Sequence, residues 1–202
     1  MSAAVTVSPL AVAPPPEPRR PRVLLVGTAF GSVAASLVVL TGLAAYLQLR
    51  AGRIADGASA LPEGVVLPLT PGNMGLATLS MSAVTLAWMV YALRNDDRTH
   101  AYLALGVTLL LGAAFINSTA YLYQQLGMGF TATGTAGLLY AVTGAHLVMV
   151  FVGLVFTAVM GFQALGGQLS GRDAEGMTAA VLYWYVTIAV YFAVWYGIYV
   201  TK

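Results

Sequence analysis

The chain has 202 residues and a formal net charge of +2, and it is 59% hydrophobic but only 8% charged. A soluble domain carries about 25% charged residues, so this composition excludes a water-facing surface over most of the chain. The small net charge gives no reason to expect nucleic acid as a partner. The lack of cysteine excludes disulfides, thiolate chemistry and cysteine-held metals.

Long stretches without charge predict five transmembrane helices. No Asp, Glu, Lys or Arg occurs between Arg22 and Arg50, or within residues 64–93, 99–171 and 176–201. A helix needs about 20 apolar residues to cross about 30 Å of hydrocarbon, so these gaps hold one, one, two and one helices. Backbone in lipid must satisfy its own hydrogen bonds, which favours helices. The predicted fold class is therefore an all-α membrane protein, a bundle with spans at about 23–49, 74–93, 101–124, 136–165 and 177–200.

The segments outside the spans predict the domain organisation and the orientation in the membrane. Residues 1–22 are rich in proline and predict a flexible tail, and the short turns further on make residues 23–202 one five-helix domain. Basic residues on one side of the membrane outnumber those on the other: Arg19, Arg20, Arg22, Arg94, Arg98 and Arg172 against Arg50, Arg53 and Lys202. The positive-inside rule then predicts a cytoplasmic N-terminus and an outside C-terminus. With no presequence rich in Arg and Ser, the expected location is a bacterial plasma membrane.

Few polar side chains inside the spans could do chemistry. The spans contain no carboxylate, lysine or arginine, and pumps and carriers of charged substrates normally need one. His146 is the only histidine in a span. It could hold a heme or a metal or relay a proton, but no second ligand stands near it in the sequence, and the ordinary interpretation is a neutral histidine bonded to a neighbouring helix. No phosphate loop, nucleophile–base pair or metal spacing occurs, so we expect no catalytic, cofactor-binding or metal-binding residue.

Small and aromatic residues give the candidates for lipid or subunit contacts. Gly27, Gly31 and Ala35 are spaced four residues apart on one face of the first span. Small residues let helices approach closely in lipid, so this face either contacts another subunit or packs within the bundle. Aromatic residues crowd the last span, and Tyr183 and Trp184 begin that run. They could contact lipid or protein, or they could pack inside the bundle and anchor it at the membrane interface.

Several segments, in order along the chain, resemble subunit III of the heme-copper oxidases (cytochrome c oxidase subunit III) in its short five-helix form. They are Gly27-Thr28 with Tyr46, residues 76–82, residues 111–115, residues 140–146 ending at His146, and Tyr183-Trp184-Tyr185 followed by Trp195 and Tyr199. The resemblance covers residues 23–202. This chain departs from the family pattern at positions where polar family residues are expected, namely Ala35, Leu122, Met149, Tyr185 and Ile188. Those departures remove the groups on which a role in proton uptake would depend.

The resemblance implies a non-catalytic structural or assembly subunit of a terminal respiratory oxidase in the aerobic electron transport chain. This chain would carry no cofactor, and heme and copper would belong to the partner subunits I and II, which would perform the proton-translocating reduction of oxygen. It would also bind phospholipid and could join a larger respiratory supercomplex. Two alternatives stay open at this point. One is an accessory subunit of a nitric oxide reductase-type complex, and the other is a stand-alone channel or carrier for a small neutral molecule.

Overall fold

The computed structural model describes residues 22–62, 64–167 and 175–201. The elements follow in the order α1 (Val23–Ala55), α2 (Leu69–Arg94), α3 (Arg98–Leu126), α4 (Gly134–Leu165) and α5 (Glu175–Trp195), with one turn of π-helix at Tyr196–Val200. All five are long and apolar enough to cross a membrane when α5 is taken together with its π-helical turn. The prediction of an all-α bundle of five spans is therefore confirmed. The proposed tail, apart from Arg22, lies outside the described residues. So does the loop segment 168–174, which contains Arg172.

The helices extend beyond the predicted spans, and α1 and α2 extend furthest. Helix α1 continues beyond residue 49 to Ala55, and it carries Arg50 and Arg53 on its last turns. Helix α2 begins at Leu69, five residues before the predicted start, although Pro71 lies inside it. A proline in the first turn costs little because the N–H that it lacks would have no partner within the helix. Charged residues and prolines therefore mark where the apolar stretch of each span ends, but the helix itself can continue beyond that point.

The turn between α2 and α3 is held by a capping carboxylate. The Asp97 side chain accepts a hydrogen bond from the His100 N–H (3.1 Å), and its other oxygen pairs with His100 Nδ1 at 2.6 Å. These hydrogen bonds favour the charged carboxylate and hold the pKa of Asp97 below its usual range. At the far end of α3, Gly127 has φ 58°, the left-handed conformation that ends many helices.

The bundle is arranged around α5. Helices α2 and α3 form an antiparallel hairpin, α1 and α4 pack on α5 and on each other, and contacts of α2 with α5 and of α3 with α4 join the two groups. The most apolar stretch of α5 is 56% buried, against 11% for α1. Helix α5 therefore lies at the centre of the bundle, and α1 lies at its edge with most of its surface exposed.

Candidate functional site

Aromatic side chains of α5 connect it to α2 by hydrogen bonds along the length of the bundle. The bonds run from Trp184 Nε1 to Ser82 Oγ (3.0 Å), Tyr185 OH to Ala83 O (3.4 Å), Tyr191 OH to Gly72 O (3.0 Å) and Trp195 Nε1 to Asn73 Oδ1 (2.9 Å). An N–H or O–H without a partner is costly in a medium free of water, so each donor must find an acceptor on a neighbouring helix. Such bonds are worth about 0.6 kcal/mol each between membrane helices. We refer to this row of bonds as the α2–α5 seam.

Glycines make room for the aromatic rings of Trp184, which belongs to the seam, and Tyr199, which lies in the π-helical turn after α5. A Cβ at Gly153 would lie 2.8 Å from Trp184 Cε3, and a Cβ at Gly112 would lie 3.1 Å from the Cη2 of the same ring. A Cβ at Gly72 would lie 2.8 Å from the Tyr199 ring. Carbon atoms at optimal separation are about 3.5–4.0 Å apart, so even alanine would collide at these positions. The Trp184 ring is therefore held between α3 and α4, and its side chain is fully buried.

His146 lies inside the bundle beside the seam. Its side chain is 1% exposed, and its Nε2 is 3.0 Å from the carbonyl oxygen of Thr187 on α5. The rings of Phe115 and Tyr191 lie 5.5 Å and 5.1 Å from the imidazole, centroid to centroid. With a carbonyl as its partner, Nε2 carries the proton and donates it. This geometry is that of a histidine that joins two helices.

A small cavity opens next to His146 towards α3. Its walls include the hydroxyl groups of Ser118, Thr119 and Thr143 together with the Tyr191 side chain. It has room for roughly one water molecule. The hydroxyl groups already have partners: Ser118 donates to the Pro71 carbonyl oxygen, and Thr119 and Thr143 donate to their own helices. The cavity is thus suited to a single bridging water.

Helices α1 and α5 run in parallel and cap each other at both ends. The N-terminal turn of α1 has no side-chain cap of its own, and the Glu175 side chain at the start of α5 accepts a hydrogen bond from the Leu25 N–H (2.9 Å). At the other end Arg50 Nη1 donates to Thr201 Oγ1 (3.1 Å), and Arg50 Nη2 donates to the Thr201 carbonyl oxygen. A carboxylate at a helix N-terminus and a guanidinium at a helix C-terminus both complement the helix dipole.

The structure separates the residues that the sequence selects as contact candidates. His146, Tyr183 and Trp184 are buried, and helices of this same chain cover their side chains. Gly27 and Gly31 are exposed, and a Cβ at either position would meet nothing within 4 Å. Ala35 is half-buried and packs against the core. The first three can thus act on a partner only through the helices that they hold together, whereas Gly27 and Gly31 face outward. A lipid or subunit contact at any of the six positions stays a prediction.

Sequence reasoning missed the glycines at which the helices pack most closely. It selected Gly27 and Gly31 on α1 as packing glycines, but the tightest contacts in the bundle are made at other glycines (Gly72, Gly75, Gly112, Gly153, Gly161 and Gly176). The abundance of large aromatic residues at the C-terminal end of the chain could have indicated a need for small residues such as Gly72, Gly75 and Gly153, which face aromatic rings, whereas Gly161 and Gly176 face leucine and methionine side chains. Among the described residues no group of three or more His, Asp or Glu could hold a metal ion.

These features define a class of protein: a multi-pass α-helical membrane protein whose buried polar groups are bonded within its helix bundle. The family model of cytochrome c oxidase subunit III matches residues 51–201. The chain therefore belongs to the cytochrome c oxidase subunit III family, as the resemblance predicted, and the members of this family carry no redox cofactor of their own.

Individual relatives are distant from this chain in sequence. Cytochrome c oxidase subunit 3 of Strongylocentrotus purpuratus is 29% identical over 143 residues, which is 69% of this chain and 55% of the relative. The probable cytochrome c oxidase subunit 3 of Rickettsia conorii is 30% identical over 60% of this chain and 44% of the relative. Cytochrome c oxidase subunit 3 of Synechocystis sp. is 29% identical over 180 residues, which is 89% of this chain and 76% of the relative. The chain thus spans about half the length of the first two of these relatives.

Four of the five positions at which a departure from the family pattern is predicted have clear structural roles in this bundle. Leu122, Met149 and Ile188 are 2%, 3% and 6% exposed, and all three belong to the hydrophobic core. Tyr185 lies at the α2–α5 seam and donates to the Ala83 carbonyl oxygen. An ionised carboxylate among such neighbours would be expensive without a partner, so the apolar residues fit the charge-free interior.

Proposed function

We propose that this chain is a non-catalytic structural subunit of a terminal heme-copper respiratory oxidase, and that it supports the catalytic subunit and takes part in assembly. In this proposal subunits I and II hold heme and copper and carry out electron transfer and oxygen reduction. The chain binds phospholipid and contributes to a larger respiratory assembly. It lies in a bacterial plasma membrane with its N-terminus in the cytoplasm and its C-terminus outside. The domain division, with a tail at residues 1–22 and a bundle at 23–202, belongs to the same proposal.

The observation that carries the proposal is that the buried polar groups are occupied by hydrogen bonds within and between the helices of this chain. In the described part of the chain, Thr157 Oγ1 is the single buried side-chain nitrogen or oxygen without a partner. Proton and ion pathways through membranes use ionisable side chains, and the charge-free stretches that predict the five spans hold none besides His146 and tyrosines. His146 is fixed by its bond to Thr187. An interior of this kind suits a scaffold.

The outward face of α1 is our candidate for the contact with a lipid or a partner subunit. Gly27 and Gly31 leave open space on a helix that is mostly unburied, and small residues permit close approach of a second helix in lipid. Gly31→Leu should leave the isolated chain folded, because the added side chain meets nothing of this chain, and should release a partner that packs there. Gly31→Leu with full assembly retained would show that this face looks at lipid.

The test of the whole proposal is purification through a C-terminal tag in mild detergent. The visible spectrum and the mass-spectrometric composition of the purified material are then recorded. Stoichiometric heme together with oxidase core subunits would support the proposal, and a partner that reduces nitric oxide would favour the reductase alternative. A colourless protein that stays alone in gentler detergents would overturn the oxidase proposal and favour a channel or carrier. Labelling the tag in intact cells tests the proposed orientation.

A further inference from the structure

Two polar side-chain atoms at the cavity beside His146 have no hydrogen-bond partner within the described part of the chain. His146 uses its Nε2 for the Thr187 carbonyl oxygen, and no described residue bonds to its Nδ1. The Tyr199 hydroxyl group is likewise unpaired there, although the side chain is only 3% exposed. Both residues line the cavity. Neither atom is sealed in as Thr157 Oγ1 is, so each keeps some surface that a water molecule can touch.

The Tyr199 side chain reaches the cavity from the π-helical turn that follows α5. The backbone N–H that comes after this turn donates to the Tyr196 carbonyl oxygen, five residues earlier, at 3.1 Å. Single π-helical turns are rare and often occur at functional sites. The Tyr199 ring lies over Gly72 of α2, where a Cβ would be 2.8 Å from the ring. The turn and the glycine together therefore place the tyrosine beside the cavity.

The two unpaired atoms are complementary to one water molecule. Because Nε2 of His146 donates to a carbonyl oxygen, Nδ1 carries no proton and can only accept a hydrogen bond. The Tyr199 hydroxyl group can donate one. Water both donates and accepts, and the cavity has room for roughly one molecule. His146 lies about 18 Å along α4 from the first residue, Gly134, and at such depth an unpaired polar atom is costly.

The side chains around the cavity favour a neutral occupant over an ion. They include hydroxyl, aromatic and aliphatic groups, with no carboxylate, lysine or arginine among them. An ion inside a membrane needs an opposite charge or a set of ligands. The Ser118, Thr119 and Thr143 hydroxyl groups already donate to carbonyl oxygens, but a hydroxyl oxygen can still accept a hydrogen bond. Water can thus place its second hydrogen on one of them.

We propose that a single buried water molecule occupies this cavity, donates a hydrogen bond to His146 Nδ1 and accepts one from the Tyr199 hydroxyl group. His146 then joins three parts of the bundle. It belongs to α4, its Nε2 bonds to Thr187 of α5, and its Nδ1 is connected through the water to the π-helical turn. This inference goes beyond the proposed function and does not depend on the identity of any partner subunit.

Nuclear magnetic resonance of the full chain labelled with 15N-histidine tests the site. The chain has two histidines, so the signals that remain in His100→Gln belong to His146. The spectra record the 15N shifts of both ring nitrogens and the transfer of magnetisation from water protons to each nitrogen. We expect a protonated Nε2 and an unprotonated Nδ1, with the Nδ1 signal at the shift of a hydrogen-bonded acceptor and with transfer from water.

Two pairs of variants locate the water molecule. Val194→Ile adds a methyl group at a residue that lines the cavity, and Val190→Ile adds the same group one turn earlier on α5, at a residue that does not. Val194→Ile should abolish the transfer from water and move the Nδ1 signal to the shift of an acceptor without a donor, whereas Val190→Ile should match the wild type. Tyr199→Phe removes the proposed donor and should reduce the transfer, and Tyr183→Phe removes a hydroxyl group away from the cavity and should not.

Three results would overturn the proposal: a protonated Nδ1, no transfer from water to His146 in the wild type, or equal loss in the two isoleucine variants. Full transfer in Tyr199→Phe would show that the water molecule accepts no bond from Tyr199. Circular dichroism of each variant confirms that its helices are intact. Because these measurements need no heme and no partner subunit, failure of the water site is distinguishable from failure of the oxidase proposal.

Discussion

Adding a single methyl group at Gly153 tests whether the α2–α5 seam depends on close packing around Trp184. In Gly153→Ala the new Cβ would lie 2.8 Å from Cε3 and 3.0 Å from Cζ3 of Trp184, and 3.1 Å from Cε1 of Tyr183. The Trp184 ring has little room to retreat, because Gly112 packs closely against it and its Nε1 is bonded to Ser82 Oγ. Either the ring shifts and weakens that bond, or α4 moves away from α5.

The expected cost follows from two opposing contributions. Overpacking a dense core costs about 1–3 kcal/mol, whereas replacing glycine by alanine within a helix returns about 1 kcal/mol. The net loss of stability relative to wild type should therefore be up to about 2 kcal/mol. The matched control is Gly106→Ala, which makes the same chemical change in α3 at a position with nothing within 4 Å. The control should lose no stability.

The assay is unfolding of the purified protein in one detergent, followed by helical circular dichroism and by tryptophan fluorescence against temperature or added denaturing detergent. Gly153→Ala should unfold earlier than wild type, with a change in the fluorescence of the folded protein, and Gly106→Ala should match wild type or exceed it. If both variants were equally stable, the packing argument around Trp184 would be wrong.

Three further changes probe the helix ends and the buried histidine. Arg50→Gln removes the hydrogen-bond donors to Thr201, so hydrogen–deuterium exchange at the C-terminal end of the last span should speed up. The free energy of unfolding should fall by up to about 1 kcal/mol. Unchanged exchange would contradict the capping role. Asp97→Ala should destabilise the protein above the usual carboxyl pKa of 3.8. Because the folded pKa is lowered, this loss should fade as the pH falls below that value, and a constant difference between pH 7 and pH 3 would refute it. His146→Ala should lower stability by about 1–3 kcal/mol, because the buried hydrogen bond to the Thr187 carbonyl oxygen is lost. The heme band of an intact complex should remain. Loss of that band would make His146 a heme ligand.

The sequence by itself determined the number of spans, the fold class and the family. Hydrocarbon about 30 Å thick imposes a length on each helix and excludes unpaired charge, so the gaps between charged residues already mark five crossings. The low charge and the absence of cysteine likewise excluded a soluble domain and cysteine-held metals. These conclusions depend on composition along the chain, and no knowledge of neighbouring helices is needed for them.

Only the tertiary structure decided which face of each helix looks inward. The spans are apolar on every side, so they carry no hydrophobic stripe that would reveal the buried face of a soluble helix. Gly31 and Gly153 are therefore indistinguishable in sequence, although one faces open space and the other faces Trp184. The partner of His146 is likewise a backbone carbonyl of α5, at Thr187, which no side-chain pattern could indicate. Helix rotation and depth set these contacts, because in lipid the fit between side chains, and not the burial of apolar surface, selects how helices meet.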